Sequence, residues 1–317
     1  MRNYIIKRLV LAVPTILGAV TLVFFAMQLA PGDPAALFIP PDLPPDRAEE
    51  MYERVNAKYG FDEPLYVQYF RYMRNLATLD LGESLRYGTP VMDDLQRRLP
   101  HTLRLGIAAL AVSAVIGITV GIVSAVYRGT WVDNFSMLFA LFGVSVPSFW
   151  LALLLILLLA VRLPILPPSG LGNDPYSWDG VKHLILPVVV LALGSAGGLA
   201  RYTRSSMLEV INHDYVRTAR SKGVKERVVI VRHAFRNALI PIITILGLNF
   251  GFILSGAVIV ETVFAWPGIG RYLIDGVNGR DFPVVQATVL LIAIGFVFGN
   301  LITDLLLAYI DPRIRYD

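Results

Sequence analysis

The sequence predicts an all-α integral membrane protein with six transmembrane helices. Three observations carry that expectation. Of the 317 residues, 55% are hydrophobic and only 16% charged, against about 25% charged in an average soluble domain. Mean hydropathy is +0.60. The apolar residues are also gathered into six long runs, each near or above the roughly 20 residues that carry a helix across about 30 Å of hydrocarbon.

The first run, Leu9–Leu29, follows the basic start MRNYIIKR. It is too long for a signal-peptide core and PGDP follows it in place of a small-residue cleavage site, so a retained helix is expected. The second run is Leu103–Val126. The third, Phe135–Leu163, contains Val146–Pro147–Ser148, which predicts a kinked or tilted helix. The fourth, Leu184–Ala200, is the shortest and carries Pro187. Ile240–Val263 and Val284–Ile310 complete the set. The chain therefore divides into a tail and first helix (1–30), a loop (31–102), a core of five further helices (103–310) that includes a polar loop at 201–239, and a tail (311–317).

Lysine and arginine set the orientation. With the N-terminus in the cytoplasm, the inside segments hold fifteen basic residues, nine of them between Arg201 and Arg236. The short outside segments hold Lys182, Arg271 and Arg280, with Arg162 at a span end. Both termini are expected in the cytoplasm, and residues 31–102 outside. In that outer loop, PPDRAEEMYERVNAKYG ends on Gly60 and reads as a short helix. PLYVQYFRYMRNL places Tyr66, Tyr69, Phe70, Met73 and Leu76 on one face of a second. Two readings stay open: helices that cap the bundle or lie on lipid headgroups, and a docking platform for an external partner.

Composition excludes several functions. The chain has no cysteine, hence no thiol catalysis, disulfide or thiolate metal site. Its four histidines show no ligand spacing, so no metal site is expected. There is no GxxxxGK[ST] loop for ATP. No nucleophile with a base is evident; Ser169 has no recognisable histidine partner. Intramembrane acids are sparse, Asp304 being the clearest, so an ion-coupled secondary transporter is a distant alternative.

Small residues recur at helical spacing: Ala109, Ser113, Gly117, Gly121 and Ala125 in the second span, Gly247 and Gly251 in the fifth, Gly295 and Gly299 in the sixth. Such faces let helix backbones approach closely. They serve either packing within the chain or a face that moves against a second membrane subunit.

The polar stretch DYVRTARSKGVKERVVIVRHAFRNALIP, beginning at Asp214, is orderly. Asp214 suits a helix N-cap. Tyr215, Val216 and Ala219 share one side, with Arg217, Arg220 and Lys222 turned away. Gly223 suits the left-handed stop. The block reads as a two-turn helix, a turn, and a second helix from about Lys225 into the fifth span. Its amphipathic first helix suits a groove on another protein or a basic collar on anionic lipid.

This stretch resembles the "EAA" loop in membrane subunits of binding-protein-dependent ATP-binding-cassette (ABC) importers. Aligned on Gly223, the triplet is Arg217–Thr218–Ala219; Ala219 and Gly223 match, and the glutamate is absent. The general pattern's proline falls at Arg236, whereas here proline comes at Pro241. The run SSMLEVINHDYVRTARSKG…RHAFRNALIP is similar to the peptide/nickel permease branch. So are IIKRLVLAVPTILGAVTLVFFAMQLAPGDP, DLGESLRYGTPV with RRLPHTLRL, RGTWVD, GVSVPSFW, LPPSG, ETVFAWPGIG, GRDFP and NLITDLLLAYIDPRIR. The resemblance implies the type I ABC importer permease fold and half of a translocation pore in a prokaryotic inner membrane. It implies a second homologous permease, two ATP-hydrolysing subunits that bind the ATP and Mg, and an extracytoplasmic solute-binding protein. Lipid surrounds the chain, and no nucleic acid partner is expected. Residues Asp214, Tyr215, Val216, Arg217, Thr218, Ala219, Arg220 and Gly223 would couple to an ATPase subunit, with Ala219 facing it. The implied solutes are di- or oligopeptides; nickel or its chelates, glutathione-like peptides and oligosaccharides are alternatives.

Overall fold

The computed structural model describes residues 2–29, 35, 39, 43–251, 253 and 257–310. The PGDP sequence after the first span (31–34) and the tail 311–317 lie outside these residues. Among the described residues the only β pairing is the isolated bridge Glu83–Pro90; the rest is helix and connecting turns.

Helix α1, Arg2–Gln28, contains the first apolar run. Two short helices follow. In α2, Pro45–Tyr59, a proline opens the first turn and Gly60 closes the last at φ +68°, its amide bonding the Asn56 carbonyl. This is the proline-first, glycine-last asymmetry of helices. Helix α3, Leu65–Ala77, confirms the second amphipathic helix but not its buried face. Gln68 and Tyr69 bond Gln28 and Thr21 of α1, at 2.7 and 2.8 Å, and Tyr72 stacks on Phe24. Tyr66 and Phe70 stay two-thirds exposed. The helix is thus turned so that polar tips reach α1 and two aromatic rings remain outward. Burial first, then the neighbouring Tyr69, raises the pKa of the Tyr72 hydroxyl, which stays neutral.

Helix α4, Val91–Val126, starts a dozen residues before the expected span and takes in Pro100. Helix α5, Trp131–Ser145, meets α6, Ser148–Arg162, at a bend of 101°. The expected kink is therefore a sharp break. Pro147 lacks an amide hydrogen and biases Val146 to the extended conformation it adopts. Each arm is about 22 Å long at 1.5 Å per residue, so neither crosses alone. The far part of α6 is π-helical, Ile156–Arg162.

Helix α7, Trp178–Ile211, corrects the expectation of a shortest fourth span. Ser177 caps it by accepting the Gly180 amide, and it continues through Arg201 and Arg204, residues expected in a loop. After α8, Asp214–Ser221, the chain enters α9: Glu226–Val228, a π-helical stretch Val229–Phe235, then Arg236–Gly251. The described part of the expected fifth span's helix runs to Gly251, and Val258–Val263 lies in a separate helix. A separate short helix α10, Val258–Val263, then α11, Ile269–Asn278, and α12, Phe282–Ile310, complete the order. By length and hydropathy α1, α4, α7, α9 and α12 can each cross a bilayer, and the bent α5–α6 pair is apolar enough for a sixth, broken span or a re-entrant loop. Side chains such as Leu22, Val115, Phe135, Leu138, Leu157 and Val161 face outward, the opposite of a water-soluble helical bundle.

The centre of the bundle is the contact of α4 with α7. A Cβ at Gly117 would stand 2.9 Å from the Ala196 carbonyl oxygen, and one at Gly121 2.7 Å from that of Ala200. The small-residue face of α4 is therefore spent on packing within the chain, and the reading of this face as a surface sliding on a second subunit is set aside. Gly247 does the same for α9 against α12, where any side chain would overlap Thr303. Gly251 ends the described part of α9. On α12, Gly299 is buried, its carbonyl accepting from Thr303, and Gly295 is partly buried.

A candidate coupling surface at the basic end of the bundle

Helix α8 hangs between the ends of α7 and α9. Its sequence alternates small apolar and polar groups so that Val216 and Ala219 fall together. Both are buried, packed with Val229 and flanked by Val210 and Val224. This corrects the expected orientation: Ala219, 7% exposed, faces this chain's own α9, not a partner. Tyr215 leaves that cluster, stacks on His213 and accepts a 2.9 Å hydrogen bond from the Asn237 amide. Asp214 is not the cap either. The residue before the helix is His213, which makes no side-chain capping bond. Asp214 is the first helical residue and its carboxylate lies 3.7 Å from Arg217.

Two devices close the turn. Gly223 has φ +75° with open space where a Cβ would stand, so the cost of a side chain there is conformational, about 1–2 kcal/mol. Arg220 reaches over the turn to Glu226 with both a 2.8 and a 3.2 Å bond. The helix therefore presents a polar outer face of Asp214, Arg217, Thr218 and Ser221, with Lys222, Lys225 and Arg227 exposed beside it.

Beneath it, the end of α7 is fixed by a pair that sequence reasoning missed. Arg204 grips Asp133 with two 2.8 Å hydrogen bonds. The same carboxylate accepts from the Ser124 hydroxyl and, at 3.0 Å, from the Gly129 amide. One acid thus ties α4, the α4–α5 turn, α5 and α7. The signal was present in RGTWVD: a glycine that allows φ +77° and an acid four residues on. Near the same end, Asp304 of α12 pairs with Arg8 of α1 at 3.2 Å. The intramembrane acid thus serves helix packing.

At the opposite end a second missed acid, Glu261, is fully buried. It accepts from the Thr102 hydroxyl at 2.7 Å, from the Arg271 amide at 3.1 Å and from the Gly270 amide. Thr102 in turn accepts the Ile269 amide. Its carboxylate therefore satisfies the free donors at the start of α11, as an acid at a helix N-terminus does. Any side chain at Gly268 would collide with it, which explains glycine in WPGIG. Asp281 similarly holds the 84–86 turn through Ser84 and the Arg86 amide while capping α12. Arg71 is also structural, clamped to Glu63 at 2.6 Å. Among the described residues no cluster of three or more metal-ligating side chains occurs.

The arrangement offers a rigid, polar, two-turn helix mounted on the ends of two membrane helices. Residues 117–316 match the family model described as binding-protein-dependent transport system inner membrane component, and residues 1–106 match the N-terminal model of such membrane components. The chain is 42% identical, over the whole of both chains, to the dipeptide transport system permease protein DppB of Alkalihalophilus pseudofirmus. It is 43% identical, again over both whole chains, to the glutathione transport system permease protein GsiC of Escherichia coli O6:H1. Among solved structures it resembles the inward-facing MetNI methionine ABC transporter, with TM-score 0.59 and 19% identity, over 70% of this chain and 98% of that one. An amino acid ABC transporter gives TM-score 0.51 at 18% identity, over 70% and 95%. The fold is that of ABC importer permeases, and the chain belongs to the family of inner membrane components of binding-protein-dependent transport systems.

Proposed function

We propose that this chain forms half of the translocation pore of an ATP-driven importer of short peptides, beside a second, homologous permease. Its α8 seats in a cleft of one of two ATPase subunits, and a solute-binding protein delivers the peptide on the other side of the membrane. Both termini and the 201–239 block face the cytoplasm. The observation that carries the coupling role is the mounting of α8. Its apolar side is closed against α9, and its turn is locked by Arg220–Glu226, so force on the polar face is transmitted to α7 and α9 rather than absorbed by the turn. Closure of the ATPase pair would draw two such helices together and rock the helix bundles as rigid bodies. ATP enters only through contacts that differ between the two states. The peptide class is supported by the dipeptide and glutathione permeases, which match over their whole length.

The test is uptake of radiolabelled dialanine and glutathione into proteoliposomes holding the full complex and its solute-binding protein. ATP-dependent accumulation of either, insensitive to ionophores, is the expected result. Uptake driven by an imposed proton or sodium gradient without ATP would overturn it in favour of a secondary transporter.

A further inference from the structure

One half-open cavity of the bundle carries polar side chains that the packing does not use. It lies where α4, α7 and α9 meet, has a volume of about 140 Å³, and its lining includes Gly106, Ala109, Leu191, Ser195, Asn249 and Ile253. Asn249 and Ser195 line it and are partly exposed, and neither side chain makes a hydrogen bond within the described chain. Asn249 lies seven residues beyond Ile242, which packs with Leu199 and Met207 near the basic end; that is about 10 Å further into the membrane. Ala257 of the lining belongs to the cluster of Leu105, Val188 and Trp266, and Leu191 packs against it.

A carboxamide and a hydroxyl at this depth are costly to leave without partners, and both groups stay accessible from the cavity rather than sealed in the packing. Neither is part of a helix–helix bond among the described residues, so a partner for their polar atoms comes from outside this chain. We infer that Asn249, supported by Ser195, is a contact of the translocation path for the main-chain amides of a passing peptide. A carboxamide offers two donors and one acceptor, the complement of a peptide group's C=O and N–H whatever the side chains are. A side chain at Gly106 would overlap Ile253 and push it towards this space. The inference rests on the peptide-import reading above.

The experiment uses the whole complex in proteoliposomes. Asn249→Leu is expected to lower dialanine uptake about tenfold, the scale of one lost buried hydrogen bond, with ATPase activity stimulated by the binding protein as before. The chain has no native cysteine, so an Asn249→Cys variant reports access directly. It should react with a small water-soluble methanethiosulfonate reagent in one nucleotide state and be protected in the other. An unlabelled thiol in both states, or uptake by Asn249→Leu within about twofold of the unaltered complex, would show that the amide abuts lipid or the second permease and would overturn the inference. Failure of the unaltered complex to take up dialanine or glutathione would strike the peptide reading instead. Thiol access, which needs no substrate, would then still decide whether the cavity opens to water.

Discussion

Replacing Asp133 with alanine is expected to destabilise the bundle by about 3–5 kcal/mol, the usual cost of stranding one member of a buried ion pair. Asp133 is 5% exposed and Arg204 28%, so the guanidinium left behind is only partly rehydrated. The loss falls where α4, α5 and α7 converge beneath α8. The measurement is thermal stability of the detergent-solubilised chain. The double variant Asp133→Ala with Arg204→Leu should regain most of the loss, because no unpaired charge remains. A single variant as stable as the parent, or a double variant no better than the single, would refute the pair's role as the staple of this end.

Glu261→Ala is the second large effect. Removal of the carboxylate leaves the Thr102 hydroxyl and the amides of Gly270 and Arg271 without an acceptor in a fully buried place. At about 1–3 kcal/mol for each stranded donor, the start of α11 is expected to open locally. Hydrogen exchange at the amides of residues 269–271 should accelerate by at least about a hundredfold, as a loss near 3 kcal/mol requires. Exchange in α8, at the other end of the bundle, should be unchanged. Equal acceleration in both would mean global unfolding rather than loss of a cap, and no acceleration would mean that water replaces the carboxylate without cost.

These acids mark what the sequence does and does not disclose. The crossings were legible because hydropathy reports the apolar slab directly. The lengths of α4 and α7 were not, because their ends are polar helix: Val91–Pro100 and Arg201–Ile211 continue the hydrogen-bond ladder beyond the slab, where hydropathy is blind. The stops at Gly60 and Gly223 were legible because only a residue without Cβ adopts those φ angles freely. The face of α8 was misjudged for a different reason. An apolar edge on a short helix shows that something covers it, and Val216 and Ala219 are covered by Val229, a partner fixed by the return of the chain. Glu261 and Asp133 went unnoticed because a buried acid is paired by residues far away in sequence: Thr102 lies 159 positions from Glu261 and Arg204 lies 71 from Asp133. Only the glycines beside them, Gly268 and Gly129, give a local trace.

The corrected orientation of α8 also fixes how its coupling role is tested. In the cysteine-free chain, Arg217→Cys and Thr218→Cys place a thiol on the polar outer face, and Ala219→Cys places one against α9. In the assembled complex, the first two are expected to cross-link to cysteines introduced along the ATPase cleft, with a yield that changes when ATP is added. The Ala219→Cys variant is expected to give little cross-linking in either state. If the thiols at 217 and 218 instead react freely with a bulky water-soluble reagent in the complete complex and form no cross-link, α8 is a basic collar on the lipid surface and the coupling account is contradicted.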